Sequence, residues 1–423
     1  MKRLFMLLVG LNIINNSVAQ GIDFIENLSW TQIKEKAKNE NKFIFVESYA
    51  TWCSPCKAMD QDVFSSVDVA KIANGNFVSV KVQMDRNELD NSNIRNWYPD
   101  ADSIQSKYSV RQLPTYLFFL PNGEIVNRGI GYQNIESFIK LLNNTLVPEG
   151  QFYTQVEKFN HGKLSFQEIP KLALKAKELG LGQESKNIAR YYIDNYLLRL
   201  DKQELFNDEN LKFIAGFVGN TTSESFKLFY SKRNEINAVL GDNKAEYCIR
   251  SAISRDYLKW EPERKLSTEE WEKLEKTIKN KFGLIGQEVV DGQRMMYYLE
   301  LKDTFNFAKF YKKYFDSALQ RPEYNINSVT WFLFENVENP QILEYACNVV
   351  MKYAMEEWYS SYPPAFDTYA NLLYKTGKIN LAIEWEEKAI KLSKGKPQWE
   401  PVFTEVLIKM KKGEVIVPDT LNN

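Results

Sequence analysis

The chain has 423 residues, 44% of them hydrophobic and 26% charged, with a formal net charge of −1. That length exceeds one small domain and predicts two or three, with enough apolar material for a sizeable core. The balanced charge excludes the basic excess of a nucleic-acid binder, and a mean hydropathy of −0.42 without a long apolar run beyond the first segment excludes a multi-span membrane protein.

Lys2 and Arg3 precede a short apolar run, 4–14, and Ser17-Val18-Ala19 places small residues where a signal peptidase reads. This predicts a signal peptide over 1–19, cleaved after Ala19, and a periplasmic or secreted mature chain. The competing reading is an uncleaved anchor, but the run is shorter than the ~20 residues of a span. No cysteine follows the cleavage region, which argues against lipid attachment.

From about 22 to 146 the pattern alternates helix and strand. Residues 29–38 read as a helix with Trp30, Ile33 and Ala37 on one face. The apolar run 42–49 reads as a buried strand. Residues 56–64 and 67–73 read as helices, 77–84 as a strand, and 113–120 as the most strongly strand-like stretch. Pro121-Asn122-Gly123 predicts a tight turn, with 124–129 pairing back as a hairpin and 135–142 forming an amphipathic helix. Strands separated by helices and closed by a hairpin predict an α/β sandwich over 20–148.

Pro148-Glu149-Gly150 predicts a domain boundary. Beyond it, 149–423 reads as an all-α helical-repeat domain. Candidate helix pairs are 169–179 with 185–198, 209–218 with 223–240, and 329–337 with 340–354. The clearest pair is 367–375 with 379–392, followed by 403–412 as a cap. Tyr369, Ala370, Leu373, Tyr374, Gly377, Ala382, Ile383, Lys388 and Ala389 resemble the tetratricopeptide-repeat pattern, in which small residues let paired helices pack closely. The rest has helix-pair spacing only, so the region reads as an irregular solenoid.

Four cysteines occur: Cys53, Cys56, Cys248 and Cys347. A disulfide scaffold would be denser in cysteine, and a chain of this size needs no staples. The close pair in Trp52-Cys53-Ser54-Pro55-Cys56-Lys57 therefore reads as chemical. Thiol–disulfide exchange needs a thiolate nucleophile and a second thiol to resolve the mixed disulfide. At a helix start the first thiol sits exposed, and the helix dipole favours its thiolate. Pro55 suits that position because its missing N–H is not needed there.

The stretch from Trp30 to Asp85 resembles the thioredoxin superfamily, in particular secreted bacterial thioredoxin-like proteins. The residues that carry this include Trp30, Ala37, Phe45, Ala50, Trp52, Cys53, Cys56, Lys57, Phe64, Phe77, Lys81 and Asp85. The segment Tyr108 to Thr115 is similar to the family's Tyr-x-Val/Ile-x-x-x-Pro-Thr, and Gly123 and Gly131 match its late glycines. The resemblance implies that Cys53 attacks and Cys56 resolves. It implies substrate-binding positions at Trp52, Leu113, Pro114 (a cis-proline) and Gly131. Glu47 falls where the family often has a buried Asp that exchanges a proton with the resolving cysteine, and Lys81 where it often has a lysine nearby. Two departures stand out. Ser54 replaces the usual glycine between the cysteines, and 85–108 is longer than in a minimal thioredoxin, predicting an inserted loop or helix that either packs on the surface or meets a partner.

Other readings stay open at this point. The pair could be half of a zinc site, though His161 is the only histidine, or a permanent structural disulfide. Cys248 and Cys347 read as buried packing cysteines, with a bond between them as the alternative. The reading that follows is an extracytoplasmic thiol–disulfide oxidoreductase that reduces protein disulfides through Cys53 and Cys56. It needs no cofactor or metal and has no nucleic-acid partner. It draws electrons from a membrane or secreted partner, and its helical domain contacts another protein. The alternatives are a helical binding scaffold with a vestigial or regulatory pair, and a disulfide isomerase.

Overall fold

The computed structural model describes residues 21–259 and 265–416; the predicted signal peptide lies outside them. The chain divides into two compact units, 1–199 and 200–423.

The first unit is built on a four-stranded mixed sheet of order β2-β1-β3-β4. Strand β1 (Phe43–Tyr49) runs parallel to β2 (Phe77–Gln83) and antiparallel to β3 (Thr115–Phe119), which pairs antiparallel with β4 (Ile125–Ile130). The continuous apolar runs of β1 and β3 follow from burial on both faces. β3 starts two residues later than the sequence predicts, just after Pro114, which has no N–H to give the ladder.

On one face, Ile44, Val46, Val80, Leu117 and Phe119 pack against Ile33 and Ala37 of α1 (Trp30–Glu40) and Trp97, Ala101 and Ile104 of α4 (Ser92–Lys107). Helix α1 starts at Ser29, whose hydroxyl accepts from the Gln32 N–H while the Gln32 side chain returns to the Ser29 N–H. On the other face, Phe45, Tyr116 and Phe118 meet Val63 and Phe64, Val69 and Ala73 of α3 (Val67–Asn76), and Phe138 and Leu142 of α5 (Ile135–Thr145). This is the α/β sandwich that the resemblance implies.

Two local expectations change. The stretch expected as one helix over 56–64 is α2 (Ser54–Met59) followed by a π-helical turn, Asp60–Phe64. The wider turn buries Val63 and Phe64 and leaves Asp60 half exposed beside Lys81. The lengthened 85–108 segment is no surface addition: α4 sends Trp97, Ala101 and Ile104 into the core, and Trp97 Nε1 donates to the Leu28 carbonyl at 3.0 Å.

At the predicted boundary the chain forms a 3-10 turn, Pro148–Gly150. A Cβ on Gly150 would lie 2.3 Å from the Asn144 carbonyl oxygen, so the turn closes only around glycine. The first unit continues into α6 (Phe152–Asn160), α7 (Ile169–Glu178) and α8 (Gly182–Asn195). The Phe152 N–H donates to Asn127 Oδ1 at 3.2 Å, tying α6 to β4.

Every regular element described in the second unit is a helix. The predicted pair 367–375 and 379–392 appears as Pro363–Lys375 and Ile379–Ser393, turning at Gly377 with φ +78°. The helix expected over 223–240 is two, Glu224–Ser231 and Arg233–Leu240. The longest, Thr268–Glu300, is kinked at Gly283. Among the described residues no helix is long and apolar enough to cross a membrane.

Candidate redox site

The site forms where β1 ends. After Tyr49 the chain turns through Ala50 and Thr51, and the Cys53 N–H closes the turn on the Ala50 carbonyl at 3.1 Å. The loop is held from the side by Asp85, just past β2, whose carboxylate accepts from the Thr51 N–H at 3.0 Å and from the Thr51 hydroxyl. Cys53 is then the N-cap of α2, with Ser54 and Pro55 in its first turn. The two residues between the cysteines bring their Cα atoms to 5.3 Å, and Cys53 and Cys56 are joined in a disulfide. The Cys56 N–H points at Cys53 Sγ, 3.3 Å away. An N–H at a helix start, aimed at this sulfur, favours negative charge there.

The sequence predicts an exposed first thiol. In the disulfide form both cysteines are instead buried, Cys53 at 2% and Cys56 at 3% exposure. In this form Cys53 packs inward with Ala50 and Cys56, and Tyr49 and Leu113 lie against them. Trp52 carries the exposure at 70%.

Leu113 packs on the pair, and the Leu113–Pro114 peptide is cis. The Gly131 N–H donates to the Pro114 carbonyl at 2.8 Å, and the Tyr116 hydroxyl donates to the Gly131 carbonyl at 3.0 Å. The four positions expected to meet substrate therefore fall in two neighbouring groups: Trp52 in the cysteine loop, and Leu113, Pro114 and Gly131 around the start of β3.

Glu47 lies in the middle of β1, fully buried, with Lys81 of β2 and Tyr116 of β3 opposite it in register. Lys81 Nζ stands 3.1 Å from its carboxylate and also binds Asp60. Burial pushes the Glu47 carboxyl up to about 7; Lys81 opposes the rise and Asp60 adds to it. Glu47 and Lys81 thus meet, as do Cys53, Cys56 and Leu113, but no hydrogen bond joins the two groups. Asp60 and Asp85 are members that sequence reasoning left without roles. Asp60 follows Cys56 by four residues, one helical turn, which is the signal that could have placed it.

Cys248 and Cys347 belong to the second unit as free, buried thiols, so the alternative of a bond between them is not realised. Burial pushes the Cys248 thiol up to about 11 and raises that of Cys347. His161 caps the end of α6, its Nδ1 within 2.8 Å of the Glu157 carbonyl, as expected of a turn residue.

Comparison with known proteins agrees with this geometry. A thioredoxin-like domain profile matches residues 31–146. Thioredoxin from Mycoplasmoides gallisepticum is 32% identical over 92 residues, covering 22% of this chain and 73% of that protein. The chain belongs to the thioredoxin family. Thioredoxin H4 from Arabidopsis thaliana is 28% identical over 116 residues, covering 27% of this chain and 82% of that protein. The thiol:disulfide interchange protein DsbD of Colwellia psychrerythraea is 31% identical over 132 residues, covering 30% of this chain. This thioredoxin-family chain spans only 20% of that protein's length. Family membership and the Cys53–Cys56 pair together make it a thiol–disulfide oxidoreductase.

Proposed function

We propose that the chain reduces protein disulfides outside the cytoplasm through a dithiol cycle at Cys53 and Cys56, while the helical region, 149–423, holds a partner protein. The Cys53 thiolate attacks one sulfur of a substrate disulfide, forming a mixed disulfide and releasing the other substrate sulfur as a thiolate that takes up a proton. Cys56 then loses its proton and attacks Cys53 Sγ. The second substrate thiol leaves, and the Cys53–Cys56 disulfide remains. Two electrons pass to the substrate, and a membrane or secreted dithiol donor returns them.

Glu47, whose carboxyl burial pushes up to about 7, takes up as carboxylate the proton that Cys56 releases, and Lys81 keeps that carboxylate tolerable in the interior beforehand. Trp52 and the Leu113 backbone hold the substrate chain. The observation that carries this reading is the disulfide at the N-terminus of α2, behind an exposed tryptophan and against Leu113. The extracytoplasmic setting draws support from the predicted signal peptide and from the likeness to an interchange protein.

Insulin reduction with dithiothreitol as donor tests the cycle. Wild type should precipitate the insulin B chain well ahead of the uncatalysed reaction, and Cys53→Ser should not. Equal rates for the two proteins would leave only a binding scaffold.

A further inference from the structure

Lys81 is one cation with two carboxylates. Its Nζ stands 3.1 Å from the Glu47 carboxylate and also binds Asp60. Three rings fix the ammonium between them: the centroids of Phe24, Tyr49 and Phe64 lie 5.2, 5.3 and 5.8 Å from Nζ. Each is inside the roughly 6 Å over which a ring face attracts a cation. The three charged groups grade outward, from Glu47 at 0% side-chain exposure through Lys81 at 25% to Asp60 at 45%. Asp60 opens the π-helical turn that follows α2, and such turns are rare and gather at functional sites.

The count of charges decides what Asp60 does. With Asp60 and Lys81 paired, the cluster is neutral while Glu47 holds its proton, and it carries one net negative charge when Glu47 ionises. Without Asp60 the order reverses. Ionised Glu47 and Lys81 would then form the neutral pair, and protonated Glu47 would leave Lys81 without a counter-charge. Net charge beside a fully buried group is costly, so the neutral arrangement is favoured in each case.

No other group facing Glu47 reverses this count. Tyr49 on β1 and Tyr116 on β3 interact with it, but burial pushes the Tyr49 hydroxyl up to about 12 and raises that of Tyr116 as well. The helices α3 and α5 meet this face with Val69, Ala73, Phe138 and Leu142. In the oxidised protein Cys53 and Cys56 do not titrate. The raised Glu47 carboxyl agrees with the arrangement: burial causes the rise, Lys81 opposes it, and Asp60 adds to it.

We propose that Asp60 is a positioning residue for the proton step of the dithiol cycle: it shares Lys81 with Glu47 and so decides when Glu47 can receive the proton of Cys56. The inference rests on the dithiol reading above, in which Glu47 receives that proton.

The test uses the full chain and Asp60→Asn, which keeps the shape and removes the charge. In the oxidised protein, the infrared carbonyl band of a protonated carboxyl, assigned by its loss in Glu47→Gln, reports the Glu47 proton directly. Its midpoint should fall by about one pH unit in Asp60→Asn, the lower end of what a neighbouring charge does, because Asp60 is half exposed. Asp60→Glu should keep the wild-type midpoint. Reduced protein mixed with one equivalent of an aromatic disulfide then reads the reaction. The second release of aromatic thiolate is Cys56 attacking the mixed disulfide at Cys53. Its rate should rise with pH through the band midpoint, and Asp60→Asn should move that rise to lower pH by the same amount. A band midpoint that stays or rises in Asp60→Asn overturns the role of Asp60. A band that moves while the second release keeps its wild-type pH profile overturns Glu47 as the proton acceptor, and with it the place of Asp60 in the cycle. No second release in wild type overturns the dithiol reading itself.

Discussion

Replacing Glu47 by Gln tests how the buried carboxyl couples the site to the fold. Glu47 is fully buried, and its carboxyl is raised from an ordinary 4.5 to about 7, chiefly by loss of solvent. A group with a raised folded-state pKa binds its proton more tightly in the native state. The stability it contributes is complete below pH 4.5 and is lost as pH rises through about 7. The gap between those values amounts to roughly 3 kcal/mol at 1.36 kcal/mol per pH unit. Glutamine is close in shape and cannot ionise, and Lys81 keeps Asp60 as a partner in the variant.

The oxidised protein is the right material, because Cys53 and Cys56, joined in the disulfide, do not titrate. Amide hydrogen exchange of peptides covering β1 and β3, corrected for the intrinsic pH dependence, reads the local free energy. Between pH 4.5 and 8.5 the wild-type value should fall about 3 kcal/mol further than the Gln variant's. The variant should be the more stable protein at the alkaline end. Parallel curves for the two proteins would refute the reasoning, since the pH dependence would then belong to other groups.

Three further outcomes follow from the same geometry. Asp367 and Glu386 face each other between two helices of the second unit, nearly or fully buried, with Asn371 donating to Asp367 at 2.9 Å and both carboxyls raised by burial. The unit should therefore lose stability as pH rises through about 7, and Glu386→Gln should flatten that loss, read by exchange in the helix Ile379–Ser393. Trp97→Ala removes a core ring and its bond to Leu28, and should destabilise the first unit by about 3–5 kcal/mol, measured as a lowered unfolding midpoint. After reduction, a maleimide at neutral pH should label the pair at Cys53 and leave Cys248 and Cys347 unmodified until denaturant is added; mass spectrometry of the peptides decides.

The strands were legible because both faces of β1 and β3 are buried, so the chain itself becomes a continuous apolar run there. The redox pair was legible because its chemistry is local, within four residues. Helix α4 was harder to read. Its buried residues are only Trp97, Ala101 and Ile104, spaced i, i+4, i+7 in a polar stretch interrupted by Pro99, so the face is narrow and the proline reads as a break. The split of 223–240 falls at Lys232, with no Gly or Pro to announce it. The inward packing of Cys53 depends on Leu113, sixty residues away, and no spacing rule carries that contact.

Glu47 and Lys81 tie the chemistry of the site to the register of the sheet. In a parallel pair, residue 47 lies opposite residue 81, and their side chains share one face. Sliding β2 by one residue would set Val80 or Val82 beside Glu47 and turn Lys81 to the opposite face, among Ile44, Val46 and Leu117. Two charges would then be buried without partners, and breaking a buried pair in this way costs about 3–5 kcal/mol. Ionised and paired, the two groups reject that alternative. Once Glu47 is protonated the penalty falls mainly on Lys81, so the register is enforced from both strands only above the pH at which the carboxyl ionises. The Glu47 charge present above that pH therefore helps fix β1 against β2, the two strands whose ends hold the Cys53 loop through Tyr49 and Asp85.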